Sequence, residues 1–364
     1  MEQTADVSHL HLSRACYRLC CPDDALRHAR LAREQCESAC DAVAALECAV
    51  EEVAALSLKE DPRAPELARR ALKSCLALEG ALTPCALCWM LTRLGHVFIA
   101  YHDWLQGVRL LQAAADVEAD AGDAGQTALI LADLSAALLA LDQVDGAIAL
   151  GQRTLDACSA AGGPIVSVQA HGSVGVALLR AGRYPQAARH LARSLDTCER
   201  LDLRFRRGEA LVNLVELHAA RRDRTRAARC AAEAAAAAAR VRQPMTCAAA
   251  MQWLGWLVER EGDPRRADRC FQRALGLLSP PGAAHRRIAC HAWYAEVLEA
   301  RGDVRAALTH YRHAAQLAHA RPTRSVLPDG GDARAAPRPA ERPRPARPLG
   351  PWPARPRARP ALRG

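Results

Sequence analysis

Between Met251 and Leu275 small and apolar residues fall at the spacings of two helices laid side by side. A Leu254–Gly255 pair is followed twelve residues after the glycine by Ala267, four further on by Phe271 and three beyond that by Ala274. Steps of three and four place residues on one helical face, and Gly262-Asp263-Pro264 between the two stretches marks a turn. The position of Ala267 recurs as Gly107, Ala147, Ala187, Ala227 and Ala307 at steps of forty, and Ala25 and Ala64 extend the series less regularly. First-helix pairs equivalent to Leu254–Gly255 are Leu94–Gly95, Leu134–Ser135, Val174–Gly175 and Tyr294–Ala295. Leu214–Val215 departs from the rule of a small second member. In the second helices the large position is Leu111, Leu191, Phe271 and Tyr311, with Gly151 and Ala231 as weak members.

The punctuation agrees with this register. Gly182, Gly262 and Gly302 stand where first helices should end, where a left-handed residue is often needed. Asp263 before Pro264 reads as a cap and first turn. Gly162-Gly163-Pro164, Gln243-Pro244 and Pro280-Pro281-Gly282 break the chain between units. No stretch alternates β-branched or aromatic residues as a strand would. The expected fold is all-α, a right-handed superhelical solenoid of about eight helix-turn-helix repeats over residues 1–320. Residues 321–364 form a separate Pro/Arg-rich tail, expected to be disordered.

The Leu-Gly, Ala, Phe, Ala pattern resembles the tetratricopeptide repeat. In that family the small residue of the first helix faces the small residue opening the second, and the large one wedges into the next unit. A forty-residue unit is longer than the commonest form. It is similar to the repeats of bacterial transcriptional and sensory regulators of the maltose-regulator type. The resemblance implies a scaffold whose concave face binds a peptide or protein segment in a regulatory role. The alternative it leaves open is the sensor portion of a transcriptional or second-messenger regulator that lacks its effector domain. A fold of this kind specifies a surface and not a reaction.

Helical spacing on the first helices then selects the candidate groove residues: Trp89 and His96; Gln169 and Arg180; Glu209, Asn213 and Glu216; Gln252, Trp256 and Glu259; and Glu296. Their character predicts an apolar groove in the N-terminal half and an acidic one in the C-terminal half, suited to an extended peptide or amphipathic helix. Trp89 and Trp256 also fit ordinary packing, since tryptophan serves both as an anchor and as core. The chaperone-binding members of the family clamp a peptide carboxylate with lysine and asparagine. Here Asn213 has no lysine beside it, which disfavours that partner class.

Half of the residues are hydrophobic but aromatics are only 4%, and small apolar side chains at this density favour close helix packing. The net charge of +9 first suggests nucleic acid. From Arg321 onward, however, eleven arginines face three acidic residues, so the repeat region is nearly neutral. Nucleic acid is accordingly disfavoured as a partner, except weakly through the tail. No stretch is apolar enough to span a membrane, and the acidic start Met-Glu-Gln-Thr-Ala-Asp does not resemble a signal peptide, which points to the cytoplasm.

Fifteen cysteines raise a metal or redox reading, with Cys85-Ala-Leu-Cys88 as the sharpest motif. Against it, no second ligand pair follows at zinc-site spacing. Cys158 and Cys198 lie forty apart, as do Cys230 and Cys270, which is the behaviour of small core residues in equivalent slots. A thiol-based metal or redox sensor stays as a third option. No catalytic, dinucleotide or phosphate-loop pattern stands out. The expectation is a binding protein with no cofactor and no enzymatic activity.

Overall fold

A computed structural model describes residues 3–18, 21–118, 124–161, 163–280 and 283–319. The tail 321–364 and the breaker residues Gly162, Pro281 and Gly282 lie outside the described residues, as does Cys20. Among the described residues sixteen α-helices follow one another and no strand occurs. They pair as eight hairpins: α1 (Gln3–Arg18) with α2 (Pro22–Ser38), α3 (Ala42–Leu58) with α4 (Ala64–Ala77), α5 (Pro84–Ala100) with α6 (Trp104–Glu118), and α7 (Ala124–Ala140) with α8 (Val144–Ala161). The remaining pairs are α9 (Pro164–Arg180) with α10 (Tyr184–Arg200), α11 (Arg204–Ala220) with α12 (Arg224–Arg240), α13 (Pro244–Glu261) with α14 (Pro264–Leu277), and α15 (Ala284–Arg301) with α16 (Val304–His319). From α5 onward each first helix begins forty residues after the last. No described helix is long and apolar enough to cross a membrane.

Local chemistry sets these boundaries. Pro84, Pro164, Pro244 and Pro264 open their helices, where a missing N–H costs nothing. Asp223 and Asp263 cap α12 and α14 by accepting from the amides of Arg226 and Arg266, each at 3.0 Å. From α3 onward each first helix ends on a left-handed residue, Glu60 after α3 and then, forty apart, His102, Asp142, Gly182, Arg222, Gly262 and Gly302. His102 N–H donates to Ile99 O at 3.0 Å and Asp103 N–H to Phe98 O at 2.8 Å, which closes the end in the manner of a Schellman motif. Three repeats thus place glycine at this turn and three tolerate a side chain there. Arg242, exposed at φ 57°, carries the same strain between hairpins. Arg242→Gly is expected to raise stability by about 1 kcal/mol and Gly262→Ala to lower it by about as much. Thermal unfolding midpoints moving in the same direction for both variants would contradict the assignment.

Hairpins close on the small residues. A β-carbon at Gly95 would lie 2.9 Å from Leu111 Cγ, one at Gly255 2.8 Å from Phe271 Cε2, and one at Gly175 2.5 Å from Leu191 Cδ2. Ser135 fits because its hydroxyl donates to Ala147 O at 2.8 Å. Val215 needs no such contact. It is fully buried in one cluster with Ala231, so the large and small members have exchanged helices and the volume is conserved. The departure visible in the sequence is therefore repaired by its weak second-helix partner.

The stack also curls back on itself. Buried residues between Leu46 and Ala137 share one cluster with buried residues between Met245 and Ala307. The turn after α3 meets the start of α13 across 185 residues: Gln243 Nε2 donates to Leu58 O at 3.0 Å, and Glu60 accepts from the Met245 amide and from the Thr246 amide and hydroxyl. The turn after α5 meets α15, with His102 and His285 ring centroids 4.0 Å apart. The first helices thus line the inside of a curl that is closed at its N-terminal third.

Candidate functional site: the inner wall

The inner wall is built from residues that adjacent first helices present to one another. Asp133 on α7 is at its centre. His96 Nδ1 on α5 lies 2.8 Å from Asp133 Oδ1, and Gln169 Nε2 on α9 donates to the same oxygen at 2.5 Å. Three consecutive repeats are thereby tied through one carboxylate that is only 3% exposed. Further along, Arg180 Nη1 donates to Leu139 O at 2.6 Å. Arg180 also faces Glu216 of α11, whose carboxyl is raised above its ordinary value because burial disfavours the charge more than Arg180 and Arg286 favour it.

At the N-terminal end two guanidiniums interleave with two aromatic rings. Arg14 sits 4.0 Å over the Trp89 ring and Arg93 4.0 Å over the Tyr17 ring, with Arg93 5.8 Å from Trp89. Arg14 donates to Glu47 at 2.6 Å and its Nε lies 3.5 Å from Glu51. Burial pushes the Tyr17 phenol up to about 12, so the ring is a neutral platform. Trp89 Nε1 and Arg93 Nη2 are buried with no hydrogen-bond partner among the described residues. Buried donors without acceptors are rare because each costs about 1–3 kcal/mol. This end of the wall therefore sets ion-paired arginines among aromatic rings and is not the apolar surface expected from the sequence.

The C-terminal end is aromatic too. Trp253, Trp256 and Trp293 form an edge-to-face chain with centroids 5.9 and 4.9 Å apart, and Arg260 lies 4.9 Å over Trp256. Its acids are partly neutralised. Arg301 Nε donates to both oxygens of Glu259 at 2.9 and 3.0 Å, and its Nη1 reaches Asp268 at 2.8 Å, which pins α15 to α13 and α14.

Of the residues selected from the sequence, His96 and Gln169 meet through Asp133, Arg180 approaches Glu216, and Trp256 joins the tryptophan chain. Trp89 is 8% exposed and Gln252 7% exposed, so both are largely packed inside. Asn213 is half-buried, with a β-carbon at Gly172 falling 3.3 Å from its Nδ2. Glu209 is exposed beside Arg206, and Glu296 is exposed. Sequence reasoning missed Asp133, Arg14, Arg93, Tyr17, Trp253 and Trp293. Asp133 had a signal: it is the one charged residue of the otherwise apolar α7. The cysteines of the Cys-x-x-Cys motif point apart. Cys85 is exposed, while Cys88 is buried, donates to Ala114 O at 3.4 Å and has its thiol pushed up to about 12 by burial, the reverse of a reactive thiolate.

No family model matches the sequence, and no curated protein matches it. Likeness appears in three dimensions. The chain is similar to a Rap protein crystallised in complex with competence and sporulation factor, at TM-score 0.65 and 12% identity over 87% of this chain and 98% of that one. It is similar to a Signal Transduction ATPase with Numerous Domains from Pyrococcus horikoshii that carries a tetratricopeptide repeat sensor, at TM-score 0.53 and 14% identity. The fold is of the tetratricopeptide type. That second match covers 81% of this chain but 44% of the other. Aspartyl phosphate phosphatase F from Bacillus subtilis has the same helical-repeat fold, at TM-score 0.56 and 8% identity over 87% of this chain and 95% of that one.

Proposed function

We propose that the inner wall captures a peptide or protein segment and that the chain regulates by this binding, without catalysing a reaction. The reading is carried by the buried, unpartnered donors Trp89 Nε1 and Arg93 Nη2, set beside the Asp133 ladder on a wall contributed by several repeats. An extended segment offers a carbonyl at every residue, and an acidic side chain on it would pair with Arg93, since Arg14 already meets Glu47 and Glu51. Aromatic rings with cations stacked on them supply rigid contact area at low entropic cost. Support by analogy comes from the Rap protein, whose crystal contains competence and sporulation factor. The likeness to a tetratricopeptide sensor within a multidomain ATPase supports a second reading, in which the chain is the sensor arm of a larger transcriptional or second-messenger regulator.

The test is a peptide array of short extended sequences, with and without acidic residues, probed with the full chain and with variants that keep the wild-type helical circular dichroism. Arg93→Ala and Asp133→Asn are expected to lose selected peptides by about tenfold or more, and removal of residues 321–364 is expected to leave binding in place. Equal binding by wild type and both wall variants would reject the wall. Loss on tail removal, with steep salt dependence, would transfer the function to the arginines.

A further inference from the structure

Histidines of the repeats are not scattered. His9 and His28, His171 and His190, and His291 and His310 are each nineteen residues apart and bring their Nδ1 atoms to 3.0, 3.0 and 2.8 Å. Each first member lies sixteen residues before, and each second member three after, the small residue that opens the second helix: Ala25, Ala187 and Ala307. One place in the hairpin is thus an imidazole pair in three repeats. Six residues after the same alanine the three repeats differ, with Leu31, Arg193 and His313. In the last hairpin the pair therefore becomes a trio.

We propose that His291, His310 and His313 bind a divalent transition-metal ion of the zinc class, which clasps α15 to α16. A nitrogen of each ring lies within 4.8 Å of a nitrogen of the others. An ion holding imidazoles at about 2.0–2.1 Å in a tetrahedron needs donors roughly 3.3 Å apart, so small side-chain rotations suffice. His310 and His313 rise from adjoining turns of α16, and His291 faces them from α15. Three imidazoles suit zinc, copper(II) or nickel(II) and not the oxygen-seeking calcium or magnesium. Gln316 lines the same cleft, and its carbonyl or a water completes the shell. Arg287 lines the cleft as well and works against the cation, which argues for a reversible site over a permanent one. In the second pair Arg193 occupies the place of His313, adding a positive charge where a ligand would be needed.

The full chain, freed of metal by chelation, would be titrated with zinc against a chromophoric chelator and with cobalt(II) as a spectroscopic probe. The expected result is one ion per chain with a visible cobalt spectrum of nitrogen and oxygen ligation and no thiolate charge-transfer band. His313→Arg, which copies the second pair at an exposed position, should weaken binding about tenfold or more, as loss of a ligand requires. His190→Ala should leave binding unchanged. Undiminished zinc binding in both His313→Arg and His310→Ala, a thiolate band in the cobalt spectrum, or no binding by the wild-type chain would overturn the site. None of these outcomes depends on whether the wall binds a peptide.

Discussion

Leu191→Ala is expected to destabilise the protein by about 2–5 kcal/mol, and adding Gly175→Val to it is expected to restore most of that loss. Leu191 is fully buried and fills the space over Gly175, so truncation leaves a cavity that close-packed helices fill only in part. Gly175→Val alone should also be harmful, by about 1–3 kcal/mol, because its β-carbon would sit 2.5 Å from Leu191 Cδ2. The double variant copies an arrangement the molecule already contains, Val215 against Ala231 in the sixth hairpin. A double-mutant cycle by urea unfolding, followed by tryptophan fluorescence, should therefore show favourable coupling between the two changes. Additive losses would mean that the hairpins are not interchangeable in packing.

Glu60→Ala is expected to cost about 3 kcal/mol and to loosen the curl. α13 begins on Pro244 and its own cap residue, Gln243, makes no side-chain capping bond. Glu60 supplies that cap from across the superhelix, accepting from the Met245 and Thr246 amides and the Thr246 hydroxyl. A carboxylate at a helix start also meets the favourable end of the helix dipole, and hydrogen bonds to a charged group contribute more than neutral ones. Hydrogen exchange should quicken at the turn after α3 and at the first turn of α13 together. Thr246→Val, which removes one of these bonds, should cost about 1 kcal/mol. Burial nonetheless raises the Glu60 carboxyl above its ordinary value despite these bonds. Above the ordinary glutamate value the native chain keeps a proton that the unfolded chain has lost, so stability falls as pH rises through that window. The slope should shrink in Glu60→Ala, and an unchanged slope with an unchanged midpoint would show the closure to be energetically idle.

Much of the wall was within reach of the sequence, but its chemistry was not. Register from the small residues placed His96, Gln169, Glu216 and Trp256 on first helices and on or near the inner face. It could not show that His96 and Gln169 share Asp133, because they are reached from it across 37 and 36 residues. Nor could it show that Glu259 is already occupied by Arg301, 42 residues away. The charged, aromatic character of the N-terminal end escaped because Arg14 and Tyr17 lie in the least regular repeat, where the spacing rule is weakest. The histidine pairs were legible in principle, since they keep constant distances from the alanines that define the register.

What the sequence determined by itself is everything that short-range sterics control. The helix starts at proline and aspartate, the left-handed ends at Gly182, Gly262 and Gly302 and the pairing of a small with a large residue follow from spacings under twenty residues, and their recurrence sets the forty-residue period. The tertiary structure alone decided how far each hairpin rotates on the next. That small rotation accumulates along the stack, so the contact of Glu60 with α13 after 185 residues depends on the sum of many packing angles. No local pattern encodes that sum. It decides which charges face each other across the curl, and so what the wall can bind.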